Sequence, residues 1–404
     1  NDPVGVGTDA AGNIYVASSG SSARDAGGGG GSTILESYRP DGQLNWRLFG
    51  LEFIDCASLD PSDESHAYTK EEHFTLDYSK PKGEEWTYAG YTVNKWRYPD
   101  DPRTHIWSAG AWVRRIAGRR FLFVNDMNGE YLQVYRFAKP PVETAIPAAF
   151  FAKKHVEIAN WPPAEPGRGE WIWCDADVDG AFEAGEFATR QGKDAPALQG
   201  WWVDSEATVW QAAQRDGIRR FPCRGIRNGV PCWDYASMET FEPPAELKQT
   251  RRLRYDPATD TMYLGGTTDE HSNQHWKPMG PVICRYDSWS SNRALRWKIV
   301  APYQKGSSGH SSCEPMTIDF AGDYLFVPYT GDSRELGFAM GHIEVFRLDN
   351  GERVGWMEPD REVGRIGLQD IRECLSAHRR ENGEYVVFLE EDWKAKVLMF
   401  RWKP

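Results

Sequence analysis

The chain has 404 residues, of which 40% are hydrophobic and 26% charged, so it is globular material able to bury a sizeable core. Its formal charge of −12, from 59 acidic against 47 basic side chains, argues against nucleic acid, which rewards a basic face. No run of about 18 apolar residues occurs, so no helix is expected to cross a membrane.

The first residues, Asn1-Asp2-Pro3-Val4, do not read as a signal peptide; in an exported protein that segment would be removed or lie upstream. A four-strand unit follows at once. Val4–Gly7, Asn13–Ala17, Thr33–Tyr38 and Leu44–Leu48 read as strands, with Asp9-Ala10-Ala11-Gly12 and Asp41-Gly42 as turns. Similar units begin near Gly200, Leu253 and Met316. Units of about 45–55 residues built from short strands are the pattern of propeller blades. The expected fold is an all-β, seven-bladed β-propeller in one domain, with blades at 1–50, 51–104, 105–152, 196–242, 246–302, 310–358 and 366–404. Residues 153–195 are left over as an insertion carrying a calcium loop. The last unit shows only three strands, so closure is expected to need a strand from before residue 1. A pair of β-sandwiches is the alternative, and it lacks a mid-chain linker.

The segment Gly5-Val6-Gly7-Thr8-Asp9-Ala10-Ala11-Gly12-Asn13-Ile14-Tyr15-Val16-Ala17 resembles the repeat of NHL-type propellers, as found in secreted bacterial proteins. The resemblance covers one unit and implies a toroid with a ligand or protein surface on one face. It implies no particular activity.

The most specific chemical signal is Asp175-Ala176-Asp177-Val178-Asp179-Gly180-Ala181-Phe182-Glu183-Ala184-Gly185-Glu186, which matches the twelve-residue EF-hand loop. Asp175, Asp177 and Asp179 supply carboxylates, Ala181 its carbonyl, Glu183 a direct or water-mediated ligand, and Glu186 the closing bidentate carboxylate. Gly180 permits the sharp turn. A solvated acidic turn has no reason to place glycine sixth and glutamate twelfth. Trp171-Ile172-Trp173 reads as a strand and no amphipathic helices flank the loop, so a structural calcium site of a secreted propeller is expected.

Loops at one end of a propeller channel gather the remaining polar residues. His310, His275, Arg372, Asp370, Asp55 and Glu314 are the catalytic candidates, and Trp201, Trp202, Arg334, Trp393 and His105 the substrate-binding ones. Sugars stack on aromatic faces and bond to planar charged groups, so the partner expected is a polysaccharide or oligosaccharide. A lyase would use a base, a proton donor and a cation, here His310, Tyr329 and Arg372. A hydrolase would use two separated carboxylates such as Asp55 and Asp370. The alternatives are a noncatalytic glycan-binding module of a larger secreted or periplasmic chain, and a protein-interaction propeller. A quinone-dependent sugar dehydrogenase would also use a calcium-bearing propeller, but no cofactor site is evident.

Three weaker signals complete the reading. Cys223 and Cys232 flank Arg227-Asn228-Gly229 and are placed for a disulfide or as two half-buried thiols. His271 and His275 have metal-ligand spacing but lie in a loop without an adjacent glutamate. Of Arg251, Arg252 and Arg254, strand alternation sends at most two to one face.

Overall fold

The computed structural model describes residues 2–19, 33–49, 56–126, 128–138, 143–190, 192–272, 278–305, 313–329, 336–338, 341–359, 373–391 and 396–404. Every sheet is an antiparallel meander whose strands pair in chain order. Sheet 1 holds Asp2–Thr8, Ile14–Ser19, Thr33–Tyr38 and Leu44–Phe49. Sheets 2 to 7 open with Ser58–Asp60, Ser108–Ile116, Gly200–Val203, Gln249–Asp256, Asp319–Ala321 and Leu375–Arg379. Each of these opening strands lies at the edge of its sheet.

Side chains alternate across a strand, so a strand buried on both faces feeds two interfaces. In sheet 5, Met262 and Leu264 enter one apolar cluster while Tyr263, between them, enters another. In sheet 7, Tyr385, Val387 and Leu389 pack toward sheet 6, and Val386 and Phe388 toward sheet 2. In sheet 3, Phe121 and Phe123 pack toward sheet 4, and Leu122 and Val124 toward Tyr68 of sheet 2.

Followed round, these clusters form a circuit: 2 to 3, 3 to 4, 4 to 5, 5 to 6, 6 to 7, and 7 back to 2. The closing contact is specific. Trp86 meets Phe388 edge-on at 5.6 Å, and Arg380 reaches Glu64 at 2.9 Å. Arg401 reaches Glu85 at 3.3 Å. Sheets packed side by side around an axis, with their first strands innermost, make a β-propeller.

Sheet 7 has three strands, as read from the sequence, and Asp2–Thr8 pairs with Ile14–Ser19 in sheet 1. Sheet 1 contributes to none of the apolar clusters among the described residues, and its own bonds stay within it, as in Arg47 to Glu36. The 153–195 insertion, by contrast, is built onto a sheet of the circuit. Its strands Trp171–Cys174 and Phe187–Thr189 extend sheet 3 to six strands. They pack Trp161, Trp171, Trp173 and Phe182 over Phe150.

Candidate functional site

The acidic loop joins the two outermost strands of sheet 3. Gly180 has φ +82°, and a Cβ there would lie 2.9 Å from the Tyr98 ring and 3.0 Å from Ile146, so the turn needs glycine. The Asp175 carboxylate is buried and accepts from the amides of Val178 at 2.9 Å, Asp179 at 3.1 Å and Gly180 at 3.2 Å. Glu186 closes the loop by accepting from the Ala176 amide at 2.6 Å and the Trp173 indole at 2.7 Å.

Carboxylate oxygens of Asp175, Asp177 and Glu186 lie within 4.8 Å of one another, as do those of Asp177, Asp179 and Glu183. The cationic side chain on the loop is Arg136, 3.4 Å from Asp175. Burial pushes the Asp175 carboxyl up to about 6, and the neighbouring Asp177 and Asp179 push Glu183 up. Oxygen donors crowded against their mutual repulsion suit a hard divalent cation.

A second cluster lies where the innermost strands begin, here called the upper mouth. Glu373 is buried at φ +60° and ties three sheets together. It accepts from Asn125 of sheet 3 at 3.0 Å and from the Trp201 amide of sheet 4 at 2.8 Å, and it meets Arg254 of sheet 5 at 3.4 Å. Arg254 also faces Asp319 at 3.5 Å. A Cβ on Gly110 would lie 2.7 Å from the Glu373 carbonyl, so the close approach requires glycine. Outward from this network, Arg251 donates to Gln249 at 3.0 Å and to the Pro278 carbonyl at 3.1 Å. Tyr303 meets Nδ1 of His271 at 3.2 Å through its hydroxyl. Glu314, fully buried, acts electrostatically on both: its charge holds Arg251 up against burial, and with burial it raises Tyr303.

The predicted residues divide sharply. His310, His275, Arg372, Asp370, Asp55, Arg334 and Trp393 lie outside the described residues. Glu314 is described and fully buried, near Arg251 and Tyr303. Trp201 and Trp202 are core residues, 0% and 6% exposed, and offer no stacking face to a sugar. Their neighbours Phe151 and Trp112 meet them edge-on. His105 stacks on Trp161 at 4.7 Å and bonds the Pro99 carbonyl, so it serves the packing of sheet 3. Tyr329 is also buried, with its hydroxyl on the Pro302 carbonyl at 2.5 Å and His342 stacked at 4.5 Å. It cannot reach a substrate, which removes it as a proton donor. Tyr303, missed in the sequence, carries no motif; only its proximity to His271 across 32 positions reveals it.

Arg252 and Arg254 are the buried pair of the arginine cluster, as alternation predicts, and Arg251 stands apart from them. None of the seven cysteines is in a disulfide, Cys223 and Cys232 included. Cys232 instead faces Cys174, whose thiol hydrogen bond pulls it down to about 7.

No family model matches the sequence, and no curated protein matches it. Among solved structures, the chain is similar to a putative 6-phosphogluconolactonase from Bacteroides uniformis ATCC 8492. That match has 12% identity and a TM-score of 0.41, over 91% of this chain and 90% of that one. It is also similar to the periplasmic gluconolactonase PpgL of Pseudomonas aeruginosa, at 12% identity and a TM-score of 0.36, over 87% and 84%. The Swd1 β-propeller domain of Myceliophteria thermophila gives 7% identity and a TM-score of 0.34, over 98% of each chain. Likenesses this distant have no bearing on what the site does.

Proposed function

We propose that this chain is an extracellular or periplasmic β-propeller that recognises acidic polysaccharide at its upper mouth and cleaves it by elimination. The observation that carries the reading is the pairing of Tyr303 with His271, with Glu314 acting on both Tyr303 and Arg251. Elimination from a uronate needs three things: a base for the proton beside the carboxylate, a donor to the leaving oxygen, and a cation facing the carboxylate. His271 fills the first role, Tyr303 the second and Arg251 the third. Burial and Glu314 keep Tyr303 protonated at neutral pH, as a donor requires. In the step, the proton leaves the ring carbon for His271 and the carbon–carbon double bond forms. The glycosidic carbon–oxygen bond breaks, and the oxygen takes the proton of Tyr303.

In the same reading the 175–186 loop holds calcium. Asp175, Asp177, Asp179, Glu183, Glu186 and the Ala181 carbonyl are its ligands, and its role is structural. Flanking strands rather than helices support a staple over a switch. Asn228, in the turn of a small hairpin (Ile226–Arg227 with Val230–Pro231) inserted before the last strand of sheet 4, donates to the Ala176 carbonyl of the loop at 3.1 Å. Calcium here pins the outer edge of sheet 3 to sheet 4. We further infer that the working propeller is the six-sheet circuit of residues 56–404, with sheet 1 joined to it as a part of a larger assembly.

The test is incubation with a panel of uronate-containing and neutral polysaccharides, following reducing ends and the ultraviolet absorbance of an unsaturated uronate. Reducing ends with absorbance, both lost about 100-fold or more in Tyr303→Phe, support elimination. Reducing ends without absorbance would mean hydrolysis, and retardation on affinity gels without products would mean a binding module.

A further inference from the structure

The opposite end of the channel holds a cavity of about 390 Å³, within the usual range for small-ligand sites. Every sheet of the circuit lines it from its innermost strand or the turn just after: Ser58, Arg114, Trp202, Tyr255, Asp319 and Ser376 are one wall residue each. It is therefore a feature of ring closure; it shares Asp319 with the Glu373–Arg254 network, and neither Tyr303 nor His271 lines it.

Charge in this cavity is unevenly matched. Arg115 is held by Asp60 at 2.5 Å, and Asp319 faces Arg254 at 3.5 Å. Asp256 is engaged in its own turn by the Ala258 amide at 3.1 Å and the Thr259 hydroxyl at 2.7 Å. His378 sits 3.8 Å from Glu64, and burial lowers its pKa, so it is neutral at pH 7. Arg114 differs from all of these. Its Nε donates to the Val203 carbonyl at 2.8 Å and its Nη1 to the Val113 carbonyl at 2.9 Å, and the guanidinium stacks over Trp202 at 4.7 Å. No carboxylate among the described residues lies within ion-pair distance of it. Burial pulls it down only to about 10, against the more distant charges of Asp319 and Asp204, so it keeps its charge at neutral pH.

A guanidinium fixed by two carbonyls and a ring, with one nitrogen uncommitted, is a prepared site for a carboxylate. The charge of Asp319 and Asp256 on the same walls disfavours a second negative charge on the ligand. Ser205 and Ser376 line the space with hydroxyl-bearing side chains that can bond to other hydroxyls, whereas the Ser58 hydroxyl already accepts from the Val113 amide at 3.0 Å. From this geometry we infer a second binding site at the lower mouth, for a small singly charged hydroxycarboxylic acid such as a free sugar acid, with Arg114 gripping the carboxylate.

The experiment is isothermal titration of the whole chain with sodium glucuronate, glucose and glucose 6-phosphate, in calcium-containing buffer. Saturable binding of glucuronate, at least 10-fold tighter than either comparator, is expected. Arg114→Met should weaken it at least 10-fold. Ser205→Trp, on an exposed turn at the cavity, should block it without touching the core. His271→Gln should leave it unchanged, so failure of the elimination reading does not remove this site. Absence of glucuronate binding would overturn the inference. So would equal binding of glucose or the phosphate, or a folded Ser205→Trp protein that binds as the wild type does.

Discussion

Sheet 1 and sheet 5 are both four-stranded antiparallel meanders, yet one is wrapped in neighbours and the other is not. In sheet 5, alternate residues of Thr261–Thr267 enter two different apolar clusters and the whole strand is buried. In sheet 1, Val6 is 76% exposed and Leu44 and Trp46 are also open to solvent. What separates the two is the cover on each face and not the apolar run alone, since Ile14-Tyr15-Val16-Ala17 is as continuous as Met262-Tyr263-Leu264. A blade-like repeat therefore specifies a meander, and packing against adjoining sheets buries its second face.

The largest expected effect distinguishes these two sheets directly. Trp201→Ala removes a fully buried indole from the circuit and should cost about 3–5 kcal/mol in denaturant unfolding. Trp46→Ala, in sheet 1, should cost about 1 kcal/mol or less, because the side chain is already 36% exposed. Equal losses would break the distinction. Arg254→Met tests the polar centre of the ring. It leaves Glu373 and Asp319 buried without their cation, and should destabilise by about 3–5 kcal/mol, with Arg254→Met/Glu373→Gln recovering part of that.

Sheet 2 provides a pH-dependent comparison. Burial, reinforced by Glu71, pushes Glu72 up from 4.5 to about 7, so its proton is held more tightly in the folded state. That contribution falls as pH rises between those values. Burial, with Arg120, pulls the adjacent His73 down from 6.5 to about 4, so the unfolded state takes up the proton more readily and stability rises with pH over that span. The two slopes oppose each other, and the wild type should vary little across this window. Glu72→Gln should expose the histidine slope, and His73→Gln the opposite one, each roughly 2 kcal/mol in urea titrations at pH 4.5 and 6.5. Identical profiles for the two variants would refute the assignment.

Calcium gives a smaller, concentration-dependent effect. At about 100 times its dissociation constant it should stabilise by about 2.7 kcal/mol, raising Tm by a few degrees. Glu186→Gln should abolish that shift, whereas Glu157→Gln, on an exposed carboxylate outside the loop, should retain it.

Much of the fold was legible in the residues because period-two patterning marks strands. The expected Val4–Gly7 and Thr33–Tyr38 fall within or on Asp2–Thr8 and Thr33–Tyr38. Trp171-Ile172-Trp173 is the start of Trp171–Cys174. The acidic loop was legible because its carboxylates fall within twelve consecutive residues. Ring closure was not, since Trp86 and Phe388 meet across 302 positions and neither advertises the other. Trp201 and Trp202 misled for a related reason: indole suits a sugar platform and a core equally well, and only burial separates the two uses. Tyr303 was invisible because a lone tyrosine gains chemistry only from what folds beside it.

Closure of six sheets without the first is the claim on which both mouths depend. Removing residues 1–49 and comparing thermal unfolding with the full chain, in calcium, tests it most directly. One cooperative transition within about 2 °C of the full chain, with its tryptophan core intact, is the result predicted. Loss of the transition, or a fall of about 10 °C or more, would show that sheet 1 is part of the ring.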